Sequence, residues 1–187
     1  MKATVCAMLS LAMAASIAFG EDMVDNPAYK QWASHKPGTS VKMETASVTT
    51  AGDQEITGKM TATTTLKEVT PEKVVTEVVV EVEAGGQKTA MPAQTVEILA
   101  KVPKSPASQP GVTTTKKGEG DEEITVGDKK YKTHWVEYQT TGDQMESTSK
   151  TWTADEAPGG MVKSVIQMTK PMKSKSTIVL VEVKEGS

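Results

Sequence analysis

Few groups in this chain can transfer a proton or attack an electrophile. Its two histidines stand apart: His35 precedes Lys36-Pro37, and His134 lies in Lys132-Thr133-His134-Trp135-Val136. Neither has a second histidine four residues away, the spacing at which a helix presents two metal ligands. Alternation puts His134 on one strand face with Lys132, Val136 and Tyr138, the pattern of a partly exposed strand histidine. A Gly-x-Ser-x-Gly elbow is absent. Gly118-Glu119-Gly120 and Gly159-Gly160 lack the further glycine and helix of a phosphate loop. The acidic clusters Asp121-Glu122-Glu123 and Asp155-Glu156 adjoin glycine or proline and read as solvated turns rather than calcium ligands. Eight methionines follow residue 20. Spread over several strands, they read as gap fillers rather than a thioether copper site. No catalytic residue, metal or cofactor is expected, and the chain reads as non-enzymatic.

The first twenty residues carry a targeting pattern. Lys2 is a minimal basic n-region, Ala3 to Phe19 is apolar, and Ala18 and Gly20 are the small residues that signal peptidase requires before Glu21. Residues 1–20 are therefore expected to be a cleaved signal peptide, and the product to be exported to the periplasm or beyond the cell. The apolar run is shorter than the ~20 residues of a spanning helix, so no membrane span is expected in the mature chain. Cys6, the only cysteine, leaves with the signal, which removes thiol, disulfide and cysteine-ligand chemistry.

The remaining 21–187 fit one domain. Its core has no phenylalanine and only Leu66, Leu99 and Leu180 as leucines. Valine and threonine dominate, and such β-branched residues suit a pleated sheet. All fixed positive charge is lysine, and no basic stripe is interleaved with aromatics. Without the bidentate fork of arginine, nucleic acid is not an expected partner.

Asn26-Pro27 reads as a helix cap followed by a preorganised first residue, with Ala28 to Ser34 giving a short helix that ends at Lys36-Pro37-Gly38. From Thr39 the chain alternates with period two between turns. Ile56 to Leu66 and Val74 to Val82 each place one parity on a core side, and strands near Val96, Lys130 to Gln139, Met145 to Thr153, Met161 to Met168 and Thr177 to Val183 follow. Residues 103–120, rich in proline, threonine and lysine, read as a flexible excursion. The fold class expected is mainly β: a single curved antiparallel meander sheet or incomplete barrel of about nine strands with one short N-terminal helix.

The most distinctive string runs from Trp152 through Asp155-Glu156-Ala157-Pro158-Gly159-Gly160 to Met161-Val162-Lys163. With its surroundings, Tyr131 to Lys184, it resembles uncharacterised secreted bacterial β proteins and, more loosely, the periplasmic lipoprotein carriers of the Lol pathway. That resemblance implies an open, curved sheet around an apolar cavity. The chain departs from the carriers in having one short helix instead of several lid helices, and no arginine to latch a lid.

The expected function is an exported, soluble, non-enzymatic β protein binding a lipid or other apolar ligand on its concave face. Trp32, Val78, Val80, Val82, Trp135, Trp152, Val179 and Val181 are the candidate lining residues. The alternative is a structural or surface-associated envelope protein with a filled sheet interior, its exterior meeting an envelope partner.

Overall fold

The computed structural model describes residues 22–52, 54–84, 87–104 and 111–187. The expected signal peptide lies outside the described residues. The described elements are β1 (Met23–Asp25), α1 (Pro27–Ala33), β2 (Ser40–Ala51), β3 (Gln54–Val69), β4 (Lys73–Ala84) and β5 (Gln87–Ala90). They continue as β6 (Gln94–Leu99), β7 (Lys101–Pro103), β8 (Val112–Val126), β9 (Lys129–Gly142), β10 (Glu146–Thr153), β11 (Met161–Lys170) and β12 (Lys173–Lys184). Ten strands form one antiparallel sheet in the order β5-β4-β3-β2-β12-β11-β10-β9-β8, with β6 also on β4. The sheet is curved, as expected, and is not closed into a barrel. The small β1–β7 pair sits apart.

Helix α1 forms as its sequence prescribes. Pro27 opens it, and the Asn26 side chain accepts the Ala28 N–H at 3.0 Å while donating to the Leu99 carbonyl at 2.8 Å. A helix this short is marginal alone, so its stability comes from what it touches. The Tyr29 hydroxyl donates to the Thr70 carbonyl at 2.7 Å, and Trp32 is buried against Gly159 in the turn between β10 and β11. Trp32 joins Val41, Leu66, Val74, Val162 and Leu180 in the core, all beneath or beside α1.

Length sets the limits of that cover. At about 3.3 Å per residue the 16-residue β3 is roughly 50 Å long, whereas seven helical residues rise about 10 Å. Accordingly the buried residues of β2, β3, β4 and β12 lie at one end of the sheet, at Val41, Leu66, Val74, Thr76 and Leu180. Toward the opposite end Ile56 is 60% exposed.

One sequence expectation needs correction. Residues 103–120 are not one excursion: from Val112 the chain is strand β8, paired with β9 along its whole length. Thr113 to Lys117 carry no apolar alternation, so the strand is invisible to periodicity. Its partner supplies the missing side chains. Trp135 on β9 lies across Gly118 and Gly120, where an added Cβ would meet the indole at 3.5 and 3.0 Å. Aromatic cover of this kind compensates glycine in a strand. The strand expected from Val96 to Val102 is likewise two, β6 and β7, broken at Ala100.

Replacing Trp32 by alanine removes the largest side chain that ties α1 to the sheet. The expected loss is about 3–5 kcal/mol, measured by urea unfolding of the mature chain. A loss below 1 kcal/mol would show that α1 does not anchor the core.

Candidate functional site

Strand pairing sorts every side chain to one of two faces, because alternate residues point to opposite sides and directly paired residues share a side. Val41 and Leu66, under α1, define the first face. Following the register outward places Met43, Thr45 and Ser47 of β2 with Ala62, Met60 and Gly58 of β3. Val78, Val80 and Val82 of β4 come next, then Val96 and Ile98 of β6. In the other direction lie Ser176, Ile178 and Leu180 of β12, Ser164 and Ile166 of β11, and Ser149 and Thr151 of β10. Across β6, β4, β3, β2, β12, β11 and β10, no paired residue on this face is charged.

Over these seven strands the charges stand on the other side, whereas on β9 and β8 the α1-bearing face itself carries Lys132, His134, Glu119, Asp121 and Glu123. Lys42, Glu44, Lys59, Glu77, Glu81 and Glu83 pair across β2, β3 and β4 on the opposite face, with ion pairs such as Lys67–Glu77 at 2.7 Å. Of the exposed large apolar residues within the main sheet, Ile56, Met60, Val82, Val96, Tyr138 and Ile166 are on the α1-bearing face, whereas Val48 and Leu99 are on the other. A soluble sheet normally solvates one face with polar side chains and covers the other. Here the uncharged face is covered by α1 at one end and open over the rest.

The expected lining residues do not share a face. Val78, Val80 and Val82 belong to the uncharged face, and Trp32 is buried beneath α1. Val179 pairs with Glu44 and Lys163 and so lies opposite. Val181 sits at a register shift between Leu180 and Glu182, beside Tyr131 in a cleft of about 490 Å³ at the β8–β9 hairpin tip. The stretch Ile178-Val179-Leu180-Val181 is apolar in both parities, and the pairing with β2 selects Ile178 and Leu180 for the α1 side.

Trp135 and Trp152 are paired neighbours on the charged face. The Lys150 ammonium stands 3.6 Å from the centroid of Trp135 and 4.8 Å from that of Trp152, and Lys163 is 4.7 Å from Trp152. The Trp152 indole N–H donates to Glu122 at 2.8 Å. These tryptophans form a cation–π stack that ties β8 to β10. Ile56, Met60, Tyr138 and Ile166 are exposed on the α1-bearing face. The parity of the charges, strand by strand, was the signal that finds them.

His134 also gathers acidic neighbours. It pairs with Asp121 across β8 and β9, Nδ1 lying 3.0 Å from that carboxylate and Nε2 3.3 Å from Glu119. His134 and Asp121, with Glu122, Glu123, Asp155 and Glu156, border an open cleft of about 570 Å³. The hydrogen bond to Asp121 raises the His134 pKa above its ordinary value, with Glu119 adding to it. Glu119 is held low, chiefly by its bond to Lys116. Both ring nitrogens are thus engaged by carboxylates, and the nearby Thr153 hydroxyl donates to the His134 carbonyl instead of the ring. The arrangement is an ion bridge at the β8 edge of the sheet. Among the described residues no group of three or more His, Cys, Asp and Glu is arranged to hold a metal ion.

No family model matches the chain, and no curated protein matches it. Among solved structures it is similar to a protein of YmcC-like fold from Bacteroides fragilis, at 12% identity over 81% of this chain and 97% of that one, with a TM-score of 0.43. It is also similar to a LolA superfamily protein from Nitrosomonas europaea, at 10% identity over 86% and 92% of the two chains, TM-score 0.22. A DUF1329 family protein from Desulfovibrio piger gives 9% identity over 80% and 86%, TM-score 0.26. These are likenesses of sheet architecture, and the site is read from its own residues.

Because the folded pKa of His134 is raised, its ion bridge contributes stability that is fully present below the unfolded histidine value of about 6.5 and is lost as pH rises through the folded value. An NMR titration should place His134 above the ordinary histidine value of about 6.5. Asp121→Asn should bring it down, and an unchanged midpoint in that variant would remove Asp121 as the cause.

Proposed function

We propose that this chain is an exported, non-enzymatic binding protein that takes an acyl chain or similar apolar ligand on the α1-bearing face of its sheet. One observation carries the reading. Seven neighbouring strands present no charged side chain on that face, although charged residues crowd the other, and α1 covers only one end. Burying Met60, Val80 and Val82 against a hydrocarbon removes apolar area from water at about 25 cal/mol per Å². Hydroxyls at Thr45, Ser47 and Ser176 border the apolar strip on β2 and β12 and can meet a neutral polar end of the ligand without placing a charge there. A sheet filled by its own side chains is less favoured, since Ile56 at the far end is largely exposed. No described helix is long and apolar enough to cross a membrane.

Export is part of the proposal, carried by the pattern of residues 1–20. N-terminal sequencing of the product from a bacterial envelope fraction should begin at Glu21. An intact Met1 there would end the exported reading.

Ligand binding is tested by native mass spectrometry of the mature protein before and after organic extraction, followed by titration with a fluorescent fatty acid. A co-purified lipid or saturable uptake is expected. Val80→Lys, which places a charge in the strip, should weaken uptake at least tenfold. Val79→Lys, one residue along and on the opposite face, should leave it intact. Absence of both lipid and uptake, or equal loss in the two variants, would refute the reading.

A further inference from the structure

The α1-bearing face changes character across the strands. Beyond α1, Val82 on β4, Met60 on β3, Ile178 on β12 and Ile166 on β11 give it apolar side chains between scattered hydroxyls. Strand β10 then presents Ser147, Ser149 and Thr151, hydroxyls alone. Val136 and Tyr138 follow on β9, and β8 ends the series with Lys116, Glu119 and Asp121. The order is apolar, hydroxyl, ionic. The ionic part is balanced in sign: Lys116, Lys130 and Lys132 stand against Glu119, Asp121 and Glu123 on this face, with His134 among them. Signs also alternate in space. Lys116 meets Glu119 at 2.5 Å, Glu119 meets His134 Nε2 at 3.3 Å, and His134 Nδ1 meets Asp121 at 3.0 Å.

Such a ladder selects by sign. An anionic head gains from Lys116 and is repelled by Glu119 and Asp121, a cationic head meets the converse, and only a head carrying both charges satisfies both. We propose that the ligand is a zwitterionic phospholipid, lying across the strands with its tail on β4 to β11, its ester region over β10, and its phosphate and ammonium on the Lys116–Glu119–His134–Asp121 ladder. The dimensions agree. Four strand spacings of about 4.8 Å separate β4 from β11, roughly 19 Å, and the tail of a membrane lipid fills half of a hydrocarbon core of about 30 Å. Ester carbonyls only accept hydrogen bonds, and the hydroxyls of Ser147 and Ser149 can donate them. Lys116 meets the phosphate as a point charge, and Glu119 or Asp121 meets the ammonium. The ladder groups are solvent-exposed, where an ion pair contributes little, so the head exchanges with them at small cost. The open cleft beside Asp121 and His134 leaves the head room.

The inference rests on the binding function proposed above, and the experiment separates the two. The delipidated mature chain is titrated by calorimetry with amphiphiles of one tail length: lysophosphatidylcholine, lysophosphatidylglycerol, an alkyltrimethylammonium salt and the fatty acid. Lysophosphatidylcholine is expected to bind about tenfold more tightly than the other three. Lys116→Gln should move the preference toward the trimethylammonium salt, and Glu119→Gln toward lysophosphatidylglycerol. Opposite shifts of this kind cannot come from a shared loss of folding, which circular dichroism checks in both variants. Lys59→Gln, which removes an ion pair with Glu44 on the other face, should leave the order unchanged. Equal binding of all four amphiphiles overturns the head-group assignment and leaves the binding function standing. A preference for lysophosphatidylcholine that survives both ladder variants also overturns it. Failure of every amphiphile to bind overturns the binding function, and this inference with it.

Discussion

Register is the constraint on which this molecule depends. From β2 to β10 the pairing gathers the charges on one face, Lys42 and Glu44 on β2, Glu77, Glu81 and Glu83 on β4, Lys150 on β10 and Lys163 on β11, whereas β8 and β9 carry charge on both. A slip of one residue in any pairing would swing those charges onto the side of Leu66 and Leu180 and bring apolar side chains out among ions. The penalty for burying unpaired charge is large enough to make the slipped sheets uncompetitive. The same sorting that fixes the pairing therefore creates the uncharged surface, so fold specificity and candidate function have one origin.

The second determinant is the mismatch between a long sheet and a short helix. Trp32 and Tyr29 fasten α1 to one end, where Thr76 and Leu180 are buried. Further along the strands, stability comes from backbone ladders and cross-strand pairs such as Thr151 with Ser164 rather than from a core. Register shifts within β3, β8, β10 and β12 add twist where the sheet must bend.

Much of this is legible from residue types. Asn26-Pro27 announces α1, Ile56 to Leu66 announces the core side of β3, and Gly127-Asp128 announces the turn between β8 and β9. What is not legible depends on partners distant in the chain. Thr113 to Lys117 look structureless until Trp135 lies over Gly118 and Gly120. Val179 and Leu180 are equally apolar, and pairing with β2 decides which one faces α1. His134 and Asp121, thirteen residues apart, meet through the register of β8 with β9, which neither residue specifies alone.

The edge strand β8 has a bearing on how such a protein avoids aggregation. It carries Lys116, Lys117, Glu119, Asp121, Glu122 and Glu123 and a register shift at its middle, while the opposite border is split between the short β5 and β6. Fibril growth needs a long, flat, neutral edge on which the next chain can template its backbone, and neither border supplies one. A polypeptide this rich in valine and threonine would otherwise be a ready amyloid former. The arrangement instead directs stickiness to a surface of side chains, where contact can be reversible, and denies it to the backbone, where it would propagate.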